Sequence, residues 1–353
     1  MKKLSVRLIG LAVIAAVLLA AMPTALAQDG IETVCLVTDV GRVNDGTFNQ
    51  YAYEGMEWAA EDFDLESTHI ETTASTDYEA NINTCIADGA EAVITVGFML
   101  GDATAAAAEA NPDVFFLGVD QGREEYPDNY VGILFREDQA GFLAGVLAAL
   151  VADSMEADTV AGVYGMEIPP VVKFRNGFEQ GARYINEDIN TLGVYIENFV
   201  APDLGASAAE QFMGEGAVVI FGAGGQTGSG GIVAAAQAEV YVIGVDQDEY
   251  FTTFDSGETP GAEFLISSAV KRVDQGVYDM LGALADPELA DMWMGGGVYL
   301  MEAANDGVGF AEKHDADIDD EIYEQVQEVL DLMAEGEIET GVDPITGELL
   351  EEE

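Results

Sequence analysis

Positive charge is what this chain has least of. Among 353 residues, 12 Lys and Arg face 66 Asp and Glu, a formal net charge of −54. Lys2, Lys3 and Arg7 account for three of the bases, so the remainder is more one-sided still. A surface of that sign repels nucleic-acid phosphates and anionic lipid headgroups, which excludes both as partners. Solubility in concentrated salt is an alternative reading of the same acidity, which composition does not decide. Histidine is scarcer: only His69 and His314 occur, with no ligand spacing to either cysteine. The acids show no EF-hand loop pattern, so neither a metal nor a cofactor is expected. No G-x-S-x-G is present and neither histidine has a Ser or Cys partner in a strand-end loop, which removes the usual routes to nucleophilic catalysis. Beyond residue 27 no apolar run is long enough to span a bilayer.

What is present begins with an export signal over residues 1–27. A basic start precedes a 15-residue apolar run, Leu8 to Met22, and Ala25-Leu26-Ala27 offers a cut before Gln28. No Cys stands at that cut, so a lipid anchor is not expected. The mature chain is therefore read as exported, periplasmic or held at the cell surface. Cys35 and Cys85 fall in neighbouring elements; a disulfide and two buried thiols both fit that placement. With 49% hydrophobic residues and a length of two ordinary domains, the chain can bury a sizeable core.

Short apolar runs alternate with helical patterns. Strands are expected at 33–38, 68–72, 92–96, 114–119 and 129–134, with helices at 48–63, 78–89 and 102–110 between them. The pattern then repeats: helix 137–152, strand 159–164, helix 170–187, strand 193–200, a short helix 206–213, strand 217–221, helix 230–238 and strand 240–245. Strand 263–267, helix 269–285, a strand pair over 298–302 and 307–310, and an amphipathic last helix follow; residues 348–353 read as a mobile acidic tail. Two successive βαβ series give an α/β protein of two doubly wound, parallel-sheet lobes. Such sheets bind ligands at the carboxyl ends of their strands, so the two lobes should enclose a cleft.

The candidate binding residues sit at those ends. Asp39, Asn44, Asp45 and Asn49 surround one aromatic, Phe48, where the first strand gives way to a helix; Asp45 and Thr47 read equally as caps of that helix. Gly224 and Gly225 lie in a glycine-rich stretch that fits neither the Rossmann nor the P-loop pattern and suits close approach to a neutral hydroxylated ligand. Asp120 and Asp246 end strands, and a carboxylate can accept from a vicinal diol or a purine edge. Lys271 can hold such a carboxylate ionised and still donate to a ligand. Lys173 reads equally as a surface charge in the acidic field.

Taken in order, these segments resemble the basic membrane protein family of ABC-transporter substrate-binding proteins, whose best-known members bind purine nucleosides. The resemblance rests on Thr38-Asp39 with Asn44 to Asn49, Gly118-Val119-Asp120, Phe135 with Ala140 to Gly145, Pro169 with Phe174 and Gly177-Phe178, Ala223 to Gly225 with Gly228, Ile243 to Asp246 with Asp248, and Ser267-Ser268 with Lys271. It implies a type I periplasmic-binding-protein fold with a hinge and an interlobe ligand cleft. Residues 28–134 plus 265–290 would form lobe 1 and residues 135–264 plus 291–353 lobe 2. It also implies a purine stacked between Phe48 and Phe221, with Asp120 facing the base and Asp39, Asp246 and Lys271 holding the ribose. The partners it implies are a nucleoside and the ABC permease and ATPase, with the protein a monomer and not an enzyme. Relatives that bind a flavin keep another aromatic or sugar-like ligand open, and an exported nucleoside hydrolase is the reading from a different class.

Overall fold

The computed structural model describes residues 30–350; the expected export signal lies outside them. In chain order the elements are β1 (Thr33–Val40), α1 (Phe48–Phe63), β2 (Glu66–Thr72), α2 (Tyr78–Ala87), β3 (Ala92–Val96), α3 (Gly101–Ala110), β4 (Phe115–Val119), β5 (Tyr130–Phe135), α4 (Glu137–Ser154), β6 (Thr159–Tyr164), α5 (Pro169–Ile185), β7 (Asn190–Tyr195), α6 (Pro202–Gly214), β8 (Val219–Ala223), α7 (Gly225–Gln237), β9 (Tyr241–Asp246), β10 (Leu265–Lys271), α8 (Val273–Ala285), β11 (Gly297–Met301), β12 (Val308–Phe310) and α9 (Asp320–Ala334).

They build two six-stranded sheets, ordered β11-β5-β4-β3-β1-β2 and β12-β10-β9-β8-β6-β7. The central strands of each sheet, such as β3, β6 and β8, are buried on both faces, as parallel sheets require. Along β1, Val34 and Leu36 join the core that includes Met56 of α1 and Val277 of α8, while Cys35 and Val37 point the other way, to Ile82 of α2 and Ala105 of α3. Cys35 and Cys85 form a disulfide from β1 to α2. Closing a loop of 50 residues stabilises the fold by about 4 kcal/mol in a chain-entropy account. In the second lobe, α4 and α5 cross with their backbones in contact. A Cβ at Gly145 would lie 2.0 Å from the Phe178 carbonyl oxygen and one at Gly141 2.3 Å from that of Phe174, so only glycine permits this crossing.

Several boundaries differ from the expected ones. β10 belongs to the second sheet and β11 to the first, so 265–271 does not go with lobe 1 nor 297–301 with lobe 2. The expected strand pair at the C-terminal side is also absent: β11 runs parallel to β5 and β12 antiparallel to β10. The chain thus passes between the sheets three times, after β5, β10 and β11, and backbone bonds from Arg136 to Met301 and from Arg272 to Gly307 tie these crossings together. The acidic end is tied by backbone bonds as far as Leu350, although residues 348–350 are exposed. Val342 bridges to Leu349, and Asn176 donates to the Gly347 carbonyl at 2.6 Å.

Candidate functional site: the interlobe cleft

A cleft open to solvent lies between the two sheets, lined by residues of both. Its walls come from strand C-termini of both lobes. β1 supplies Asp39, β3 leads into Gly97 and Phe98, and Asp120 follows β4; opposite them stand Ala223 to Gln226 after β8, Asp246 ending β9 and Lys271 ending β10. Asp120 and Asp246 both adopt left-handed backbone, with φ of +61° and +66°, a conformation that Asp tolerates better than most side chains. The lining therefore carries four carboxylates, Asp39, Asp45, Asp120 and Asp246, and one ammonium, Lys271.

Each charge has a different setting. Lys271 Nζ lies 2.6 Å from Asp120 Oδ2 and 2.9 Å from Glu137 Oε1, and 4.8 Å from the centroid of the Phe48 ring. Burial opposes its charge, yet Asp120 and Glu137 hold it above the ordinary lysine range. Asp120 Oδ1 is buried with no hydrogen-bond partner among the described residues. Burial pushes the Asp120 carboxyl up to about 6, against the pull of Lys271. Asp246 has no hydrogen bond or ion pair to its carboxylate among the described residues, and burial pushes it up to about 7. Asp39 accepts from the Tyr78 hydroxyl, and its backbone N–H donates to Asn49 Oδ1 at 3.0 Å; burial raises its pKa.

Asp45 has mainly a structural task. Its carboxylate accepts from the backbone N–H groups of Thr47, Asn49 and Gln50 and from Asn49 Nδ2, closing the first turn of α1. Burial raises its pKa too. Asn49 is likewise committed to Asp39 and Asp45, although both it and Asp45 line the cavity.

Two expected site residues lie elsewhere. Asn44 is exposed on the loop and is not part of the lining. Phe221 is fully buried in the lobe core, stacked on Phe178 at 5.3 Å, and does not reach the cleft. The strand it was expected to end runs on to Ala223, so Phe221 is mid-strand on the face that packs against α5. The aromatics that the second lobe does bring to the cavity are Phe174 and Phe199. Phe199 escaped the sequence reading because β7 stops at Tyr195, not at residue 200, and the segment after it turns back over the cleft. Gly224 and Gly225 line the cavity, but the neighbouring glycines serve helix packing: α7 begins at Gly225, and a Cβ at Gly230 would meet the Pro202 carbonyl at 2.4 Å. Above the cavity, Gln247 donates to the Thr47 carbonyl at 3.2 Å and Thr252 to that of Gly46 at 2.8 Å, joining one lobe to the other.

Comparison with known proteins fits this geometry. Residues 32–342 match the family described as Bmp, ABC transporter substrate-binding protein PnrA-like. The chain belongs to this family. It is 28% identical over 311 residues to the ABC transporter nucleoside-binding protein BmpA of Lactococcus lactis, covering 84% of this chain and 86% of that one. A CD4+ T-cell-stimulating antigen of Listeria monocytogenes is 30% identical over 329 residues, 88% of each chain. Among solved structures, an ABC transporter solute-binding protein from Aeropyrum pernix superposes with a TM-score of 0.76 at 22% identity, over 87% of this chain and 92% of that one. The fold is that of the type I periplasmic solute-binding proteins, and the family is one of substrate-binding proteins, not enzymes, that act outside the cytoplasm. Among the described residues no helix is long and apolar enough to cross a membrane.

Proposed function

We propose that this protein captures a neutral purine nucleoside in the cleft and delivers it to an ABC permease and its ATPase, working outside the cytoplasmic membrane as a monomer. The observation that carries this reading is Asp246, a buried residue on the cavity wall whose carboxylate has no hydrogen bond or ion pair among the described residues. A buried carboxylate without a donor is costly, and the two hydroxyls of a ribose would supply two charge-assisted hydrogen bonds at once. The base would stack between Phe48 of one lobe and Phe199 of the other, which takes the place expected for Phe221. Asp120 and Lys271, acceptor and donor side by side, would read its polar edge. Asp39, Gly224 and Gly225 complete the contact surface. The printed name of the Lactococcus relative agrees with a nucleoside.

With four carboxylates against one ammonium, the cleft should reject a 5′-phosphate. Calorimetry with guanosine, inosine, adenosine and their monophosphates tests this. The nucleosides should bind and the monophosphates bind at least tenfold more weakly, since one charge-assisted contact exchanged for a repulsion is worth ~1.5 kcal/mol or more. Tighter binding of a monophosphate, or no binding of any nucleoside, would overturn the reading.

A further inference from the structure

Lys173 and Glu137 do not line the cavity, yet both are almost wholly buried, at 4% and 0% exposure. Glu137 is the first residue of α4. One of its oxygens meets Lys271 at 2.9 Å and the other meets Lys173. Lys173, on α5, also donates to the Phe135 carbonyl at 2.8 Å. Four charges thus alternate in a line, Asp120, Lys271, Glu137 and Lys173, from a cleft wall of the first lobe through the crossing after β5 into the second. Two carboxylates and two ammonium groups sum to zero, which is the condition under which such a chain tolerates burial. Burial opposes the charge of Glu137, but the two lysines overcome it and hold its carboxyl below the usual range.

The outer end of the line is sealed by the C-terminal segment. Gly347 has φ of +82°, and a Cβ there would lie 2.8 Å from the Lys173 backbone nitrogen, so this segment sits directly on the lysine. At the inner end the rings of Phe48, Phe135 and Phe174 surround Lys271 Nζ at 4.8, 4.9 and 6.0 Å, and among the described residues its ion-pair partners are Asp120 and Glu137.

We propose that Lys173 and Glu137 are positioning residues that set how firmly Lys271 holds Asp120, and hence which hydrogen bonds Asp120 offers a ligand. Lys173 balances Glu137 so that Glu137 does not draw Lys271 away. The charged groups facing Asp120 are Lys271 from β10, Glu137 from α4, Lys173 from α5 and Asp246 from β9. Removing Lys173 leaves Lys271 shared between two carboxylates, so Asp120 takes up a proton more readily. Removing the Glu137 charge has the opposite effect, because Lys271 then belongs to Asp120 alone.

Titration of the Asp120 carboxyl by 13C NMR in ligand-free protein, with selectively labelled aspartate and Asp120→Asn for assignment, tests this. Lys173→Met should move the midpoint up and Glu137→Gln down, each by about one pH unit, the size expected for a charge change at this range. The double variant should return close to wild type. If Lys173→Met does not fold, Glu137→Gln and the double variant still decide the matter. Midpoints that stay put, or that move in the same direction in both single variants, would show mere packing and overturn the proposal. Only the second readout rests on the nucleoside reading: guanosine affinity near pH 6 should fall several-fold in Lys173→Met. If wild-type protein binds no guanosine, that reading fails while the NMR titration still judges this one.

Discussion

Gly118-Val119-Asp120-Gln121 and Gly244-Val245-Asp246-Gln247 occupy the same place in the two lobes, where β4 and β9 run out into the cleft. Both aspartates take the same left-handed backbone, yet among the described residues Asp120 is ion-paired and Asp246 is not. The cause lies one strand further along. β5 ends in Phe135 and β10 in Lys271, and each is followed by an arginine clamped on the aspartate two residues on, Arg136 on Asp138 and Arg272 on Asp274. A phenylalanine on one side and a lysine on the other break an otherwise repeated arrangement. The glutamines diverge as well. Gln121 donates to Thr95 and Gly97 and accepts from Tyr130, all within its own lobe, whereas Gln247 reaches across to Thr47. Duplicated positions thus supply two carboxylates on the cavity wall, one held by a lysine and one not.

The sharpest way to break this comparison is to truncate both aspartates. Asp120→Ala leaves Lys271 buried with one counter-charge fewer and should cost about 3 to 5 kcal/mol of stability in chemical denaturation. Asp246→Ala removes no partner and relieves a buried charge, so ligand-free stability should hold or rise. The pH dependence carries the same sign. Burial lifts the folded Asp246 carboxyl to about 7, from the ordinary aspartate value of 3.8, so between those values the folded state binds more protons than the unfolded one. Its contribution to ligand-free stability therefore falls as pH rises from about 4 to about 7, and Asp246→Ala should flatten that slope. Equal losses in the two variants would erase the distinction.

The glutamines sharpen the comparison at smaller scale. Gln121→Ala leaves the Tyr130 hydroxyl without its acceptor and takes one donor from each of the Thr95 and Gly97 carbonyls, a loss of about 1 to 3 kcal/mol of stability. Gln247→Ala removes a single bond between lobes. Stability should barely change, while affinity falls about fivefold, as ~1 kcal/mol withdrawn from the closed form would give.

The fold was legible because periodicity and strand-end residues report burial directly: α1, β3 and β6 fall where the alternation of apolar runs puts them. What was lost turns on one or two residues of boundary. The resemblance put Phe221 in the cleft, and a strand read two residues short left that unopposed, while extending β7 hid Phe199. The swap of β10 and β11 between sheets was illegible, since pairing at a hinge depends on contacts between distant segments. Asp120 and Asp246 were found from their strand-end positions, Asp39 from the polar segment after the first strand and Lys271 from the scarcity of bases, and all four line the cavity. Lys173 was not, because nothing local distinguishes a buried lysine from an exposed one when its partner, Glu137, stands 36 positions earlier in the chain.

The most direct test of the central claim, that Asp246 is the cleft's diol acceptor, is a calorimetric cycle of wild type and Asp246→Ala against guanosine and 2′,3′-dideoxyguanosine. Two charge-assisted bonds at the usual ~1.5 to 3 kcal/mol predict that the substitution weakens guanosine at least tenfold and the dideoxynucleoside far less. Equal weakening of both ligands would contradict the account and leave Asp246 as a structural residue of the β9 terminus.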